Sequence, residues 1–378
     1  MIAINKLLKD KSLFIKAIVF IRIIAINLIG VFLPIYFIKQ ISLLAFAYYF
    51  IGYFIGTFFS IYIFLYLMRH YALHVIYFLS VLSLLISALL LDLKTETAVF
   101  LSAIFLSFSE KFFWLPFHVI YLFSERKKEK EYAMINAIIH LAPFLCPLIG
   151  LFIITNFGYT SLFIFTFFFY SLVAIFFILS KALVNEIKEM IRKQGIKFSF
   201  KPELSLKPIY IADVLRTNVL GILWPGILVL MNWTIDEISY LFSLLSLSTG
   251  IFSIIYSQYL VKSSYKLSSY AFLIHAFSII LRTFPMNVFQ TAGGLLGYVS
   301  FSFFDPHYMG YFYNRVKKNF SELIRREMNF VYGYLFIFFF SLIFYFYPYS
   351  TFVFLAVLTS LSSIYSFYFF IKRKKVYN

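Results

Sequence analysis

Phe113-Trp114-Leu115-Pro116, followed by Tyr121 and the basic tail Arg126-Lys127-Lys128, has a near copy half a chain later. There the sequence reads Phe303-Phe304-Asp305-Pro306, then Tyr311, Arg315, Lys317 and Lys318. Pro116 to Pro306 and Tyr121 to Tyr311 are both offsets of 190, and Gly30 and Pro34 recur as Gly221 and Pro225 at 191. Matches so close to one offset point to an internal duplication. Each copy lies in sequence apolar enough for lipid, so the repeated unit is a bundle of membrane helices. Bundles duplicated in this way are the architecture of secondary transporters.

Composition supports the lipid setting. With 62% hydrophobic residues, 13% charged and a mean hydropathy of +0.89, a water-soluble domain of 378 residues is excluded. The 53 Phe and 30 Tyr suit lipid-facing and interfacial surfaces. The single Cys146 lies in an apolar stretch, so there is no disulfide framework. The first apolar run continues for a full span, which argues for a helix rather than a cleavable signal.

Twelve apolar runs are long enough to cross a bilayer, which takes about 20 residues. They fall near 14–37, 41–66, 72–91, 97–123, 131–155, 159–181, 208–231, 237–260, 267–284, 287–313, 327–347 and 349–371. The connections alternate sharply in charge. Of 33 Lys and Arg, 27 fall on the side of the termini, and only Lys39, Lys94 and Arg282 on the other. That is the positive-inside pattern, which predicts both termini in the cytoplasm of a multi-pass cell-membrane protein. It also accounts for the +17 net charge without a nucleic-acid partner. The one long polar connection, 182–207, separates an N-terminal bundle (1–181) from a C-terminal bundle (208–378). The short connections on the other side leave no room for a catalytic domain.

Twelve spans, cytoplasmic termini, a 6 + 6 duplication and a central linker together resemble the major facilitator superfamily. The resemblance runs from about Phe14 to Phe370. Its short motifs are degenerate. The loop between spans two and three reads Leu67-Met68-Arg69-His70-Tyr71 and lacks the family's Asp and Gly. Span five is nearer to the antiporter-associated pattern, with Ala133, Ala142, Cys146-Pro147 and Gly150 at matching intervals. Ala142, Pro147 and Gly150 are therefore gating or packing candidates, since small residues at helical spacing let helices approach closely. The resemblance further implies alternating access, a monomer, and a central cavity lined by spans one, four, seven and ten.

An ionisable group at bilayer depth is costly unless it is paired or wetted, so each is a functional candidate. From the helical rise, Glu110 and Lys111 lie near the middle of span four. Arg22 lies roughly 5 Å from the middle of span one; Arg216 is at about 5 Å and Asp213 at about 9 Å in span seven. Asp305 is similarly placed in span ten. All of them fall in the four spans that the repeat makes equivalent. Arg22 and Arg216 stay charged and can fork onto a carboxylate or phosphate, with Lys111, Trp114 and Asn27 as further solute-binding candidates. Glu110, Asp305 and Asp213 are candidates for proton coupling. Adjacent in sequence, Glu110 and Lys111 point about 100° apart, so one of them should meet a neighbouring helix. Asp213 and Arg216, three apart, could instead neutralise each other locally.

There is no Gly-x-x-x-x-Gly-Lys-Ser/Thr loop for ATP, no Cys/His cluster for a metal and no Gly-x-Ser-x-Gly for a serine hydrolase. No cofactor is expected. The expectation is a proton-coupled carrier of a small organic solute, surrounded by membrane lipids, with export favoured and a proton or other ion as partner. A passive facilitator of the same fold is one alternative. The other is a polytopic membrane enzyme on lipid-linked substrates, for which Asp92, Glu96 and Glu125 are the interfacial candidates.

Overall fold

A computed structural model describes residues 11–71, 73–124, 128–179, 207–260, 264–318 and 321–372. The expected linker, 182–207, lies outside them except for Lys207, as does the basic connection at 125–127. Among the described residues the chain is helical throughout, and the helices follow the twelve apolar runs. In the first half, α1 is Lys11–Gly30, continued by Phe32–Tyr36 and a π-helical turn, Phe37–Ile41. Next come α2 (Ala45–His70), α3 (Leu73–Leu91) and α4 (Glu96–Ser124). The fifth helix, α5, begins as Lys128–Leu141 and tightens to a 3-10 turn at Ala142–Leu145. It then runs into Cys146–Leu179, which breaks at Gly158; beyond the break the chain is α6. In the second half, α7 joins Pro208–Asn218, a π-helical stretch Val219–Leu223 and Trp224–Leu230, and α8 joins Ile235–Ile255 and Tyr256–Leu260. The remaining four are α9 (Ser264–Leu281), α10 (Asn287–Lys318), α11 (Ser321–Phe346) and α12 (Pro348–Lys372).

Helix ends follow local chemistry. Gly158 has φ 81°, a left-handed conformation that only glycine adopts without a Cβ clash, so α5 and α6 can be joined by a single residue. Thr234 caps α8: its hydroxyl accepts from the Glu237 amide at 3.2 Å, and the Glu237 carboxylate accepts from the Thr234 amide at 2.8 Å.

The repeat read from sequence reappears as matched distortions. Pro116 lies inside α4 and Pro306 inside α10, each removing one backbone hydrogen bond from its helix. Near Gly30 and Pro34 the first helix is interrupted at Val31, and near Gly221 and Pro225 the seventh widens into its π-helical stretch. Two copies of one sequence pattern thus loosen two equivalent helices at the same level.

Length and apolarity suit membrane crossing for nine described helical stretches, one of which (Met134–Val173) holds both α5 and α6. The apolar part of α9 is shorter, and α10 carries too many polar groups to qualify. Both line the cavity described below, together with α5 and α7. The halves meet chiefly where α2 packs on α11 and α5 packs on α8 and α10.

Candidate functional site

The polar interior is built on the first turns of α11, around Glu322, Arg325, Arg326 and Glu327. All four are buried. Sequence placed the start of this span at 327 and assigned Arg325 and Arg326 to a surface connection. The helix instead begins at Ser321, because each of these charges finds a partner inside the protein. Lys111 on α4 donates to Glu327 at 2.6 Å, joining the two halves. Arg326 donates to Asp213 on α7 at 3.0 Å and lies 3.5 Å from Glu327. Asp213 also takes Arg216 at 3.5 Å. The local Asp213–Arg216 contact exists, but the shorter bond runs to another helix. Glu322 holds Lys207 and Arg325, the latter at 2.9 Å, and accepts from the Tyr210 hydroxyl at 2.7 Å, which pins the start of α7 to the start of α11.

Asp305 on α10 is 7% exposed and faces Asp213, Arg216, Arg326 and Tyr132. It makes no ion pair among the described residues. Glu110 points away from Lys111, as their spacing requires, and accepts from the Tyr53 hydroxyl on α2 at 2.7 Å. The Tyr53 ring meets Tyr334 of α11 at 4.7 Å. Lys111, Asp213, Arg216, Arg326 and Glu327 thus form a chain of ion pairs that bridges the halves. Asp305 faces this chain, and Glu110 reaches it through Tyr53 and Tyr334. All seven are buried except the part-buried Glu110 and Asp213, and they are counted together as one group. It has three cations and four carboxylates, an excess of one negative charge when all are ionised.

Arg22 is equally buried but sits apart. Its guanidinium lies 4.1 Å from the Phe113 ring and 4.9 Å from Trp114, and its Nε donates to the Tyr170 hydroxyl at 3.2 Å. Ser80 completes that cluster, 2.7 Å from the same hydroxyl. Asn27 spends its amide on the Ile23 carbonyl of its own helix at 2.9 Å. No contact joins Arg22 to Arg216, and of the two only Arg216 lines the cavity described next. The first-half side of the interior is filled by Phe113 and Trp114 stacked on Arg22.

A cavity of about 220 Å³ lies between α5, α7, α9 and α10, with Arg216, Arg282, His140, His275, Tyr298 and Phe301 in its wall. Only α7 and α10 belong to the four helices expected to share a chamber. Arg282 was expected in an outer connection. It is instead fully buried, because the Gly293-Gly294-Leu295-Leu296-Gly297 run of α10 leaves room for its side chain. A glycine-rich stretch opposite a loop arginine was the available signal.

The span-five candidates lie at helix junctions. Ala142 opens the 3-10 turn, and Cys146 and Pro147 are buried beyond it. A Cβ at Gly150 would sit 2.9 Å from the Leu28 carbonyl of α1. The side chain of Ala133 lies outside the described residues.

No curated protein matches the chain in sequence. Solved structures match its fold over nearly the whole length. A human organic anion transporter (TETRAN) superposes with a TM-score of 0.65 at 10% identity, covering 96% of this chain and 99% of that one. A bacterial homologue of the iron transporter ferroportin, in an outward-facing state with soaked iron, gives 0.64 at 14% identity over 94% and 98%. The nucleoside transporter NupG gives 0.62 at 11% identity over 97% and 100%. The family model described as Major Facilitator Superfamily matches residues 17–371, and the chain belongs to that superfamily.

Proposed function

We propose that the chain is a secondary transporter that exchanges a small organic solute for protons by alternating access, with the solute leaving the cell. The observation that carries the reading is the buried group that spans both halves. Lys111 belongs to the first half and Glu327 to the second, so their bond must break whenever the halves part at that level. Asp305 stands beside this chain of pairs without a cation of its own. A proton there removes the excess negative charge and frees Asp213 to keep Arg216 or release it. Charges held this deep are costly unless paired or wetted, and a proton gained or lost within the group therefore re-sorts the pairs that hold the halves together. Export is supported by the antiporter-like spacing of Ala142, Pro147 and Gly150. The expected orientation, with both termini in the cytoplasm, rests on the charge bias alone.

The cargoes of the similar structures differ, so the solute has to be read from this chain's own residues. Among the described residues no group of three or more His, Cys, Asp or Glu is placed to hold a metal ion. The iron of one neighbour thus has no matching site there.

The test uses the full chain in vesicles loaded with a pH dye, challenged in turn with carboxylates, phosphate esters, nucleosides and amines. At least one solute should move the internal pH. Asp305→Asn and Glu110→Gln should each abolish that gradient-driven movement while sparing counterflow of the same solute. Undiminished gradient-driven transport in both variants contradicts the coupling assignment. Uptake indifferent to a collapsed proton gradient favours a passive facilitator.

A further inference from the structure

We infer that the cavity between α5, α7, α9 and α10 binds a small organic anion, its carboxylate or phosphate head between Arg216 and Arg282 and its apolar body against Tyr298 and Phe301. The inference deepens the transporter reading, on which its physiological use rests, by naming a substrate class and a site that includes a residue sequence placed outside the membrane.

The wall is basic and only partly compensated: Arg216 has the 3.5 Å contact to Asp213 and donates to the Ser366 hydroxyl at 3.2 Å, whereas Arg282 makes no ion pair among the described residues. Arg216 is 3% exposed and Arg282 is fully buried, yet Nε of Arg216 and both Nε and Nη1 of Arg282 have no hydrogen-bond partner. His275 Nε2 is likewise buried and unpartnered. Among the described residues no Asp or Glu contributes to the lining. A guanidinium buried without a counter-charge is among the costlier features a fold can carry, and an anion in the adjoining space is its natural complement. Two guanidinium-bearing side chains in the wall of one cavity suit a planar carboxylate or a phosphate better than a neutral solute.

The arginines are also held in place. The Arg282 guanidinium lies 4.2 Å from the Trp224 ring, and its Nη2 donates to the Gly293 carbonyl at 3.1 Å. Gln290 accepts from the Trp224 indole at 2.7 Å and donates to the Arg282 carbonyl at 2.7 Å, closing a brace around it. Such a brace fixes the side chain in the cavity wall, with Nε and Nη1 left without a partner among the described residues. Gly297 is part of the fit, since a Cβ there would stand 3.1 Å from the Arg282 guanidinium carbon and 2.8 Å from Ser278 Oγ. The volume of about 220 Å³ is below the few hundred Å³ of sites for drug-sized ligands, which limits the guest to a compact molecule. His140 brings the first half to the wall: its ring lies 5.7 Å from Phe301. A guest here therefore touches both halves. An anion would also compete with Asp213 for Arg216, which stands at only 3.5 Å from that carboxylate.

The full chain, purified in detergent, is titrated with benzoate, phenyl phosphate, inorganic phosphate and uncharged benzyl alcohol, with melting temperature and tryptophan fluorescence as readouts. Benzoate or phenyl phosphate should stabilise the protein saturably, the tighter of the two identifying the head group, and benzyl alcohol should not. Arg282→Gln should weaken that binding by at least about tenfold, and Gly297→Ala should weaken it by displacing the guanidinium. Equal stabilisation by benzyl alcohol, no saturable binding of either organic anion, or unchanged affinity in Arg282→Gln would overturn the inference. If Arg282→Gln does not fold, the charge selectivity of the unaltered chain decides. Saturable anion binding by a protein that moves no solute in vesicles upholds the site and overturns the transporter reading. Proton-coupled flux without anion binding does the reverse.

Discussion

Lys111 and Glu327 show how much depends on single buried partners. Their side chains are 6% and 4% exposed, and among the described residues theirs is the one ion pair that crosses between the halves. Removing Lys111 leaves Glu327 with only the longer 3.5 Å contact to Arg326, and removing Glu327 takes from Lys111 its 2.6 Å partner in an apolar setting. Lys111→Met should therefore lower stability by about 3 kcal/mol, whereas Lys111→Met combined with Glu327→Gln should recover most of the loss. Thermal unfolding of the two variants checks this, and a double variant no better than the single one would mean the pair is not the source. Glu327 escaped the sequence reading although it lies directly before a long apolar run. With Glu322, Arg325 and Arg326 ahead of it, the stretch resembles a solvated connection, and nothing local reveals partners on α4 and α7. Arg22, Glu110, Asp213, Arg216 and Asp305 were legible because they interrupt apolar sequence. Which of them share a site was not, since that depends on packing between helices distant in the chain.

At the level of elements, the spans and their matched distortions could be read directly, because apolar runs and prolines act locally. The closest helix contact could not. Gly52 and Gly56 on α2, spaced as Gly-x-x-x-Gly, face α4: a Cβ at Gly52 would stand 3.0 Å from the Ala103 Cβ, and one at Gly56 would stand 2.7 Å from the Ile104 carbonyl. Small residues one turn apart allow this approach, but the motif alone does not name its partner helix. Gly56→Leu should cost about 1–3 kcal/mol by overpacking and lower the melting temperature, while the exposed substitution Phe59→Leu on the same helix should leave it nearly unchanged. Equal effects would place the α2–α4 contact elsewhere. The α9–α10 pair was the hardest to read, as its polar groups weaken the apolar signal for the same reason that they line a cavity.

For the whole molecule, the two halves touch along α2–α11 and α5–α8, and at the terminus-bearing end through α4 and α10. There His118 and Tyr313 are 2.6 Å apart, and the Tyr121 and Tyr313 rings lie at 4.6 Å. Polar and aromatic contacts of this kind can be made and broken without exposing a large apolar face, unlike the Phe113 and Trp114 packing around Arg22. Rocking of one half against the other would open this end while the opposite end closes. The most direct measurement is the distance between spin labels at Tyr66→Cys on α2 and Asn314→Cys on α10, both exposed positions. The labels are carried by the full chain in lipid with Cys146→Ala, at acid and neutral pH. A second, longer-distance population should grow on acidification, persist at both pH values when Lys111→Met is added, and lose its pH response in Asp305→Asn. A single distance distribution, unmoved by pH and by both substitutions, would contradict the account.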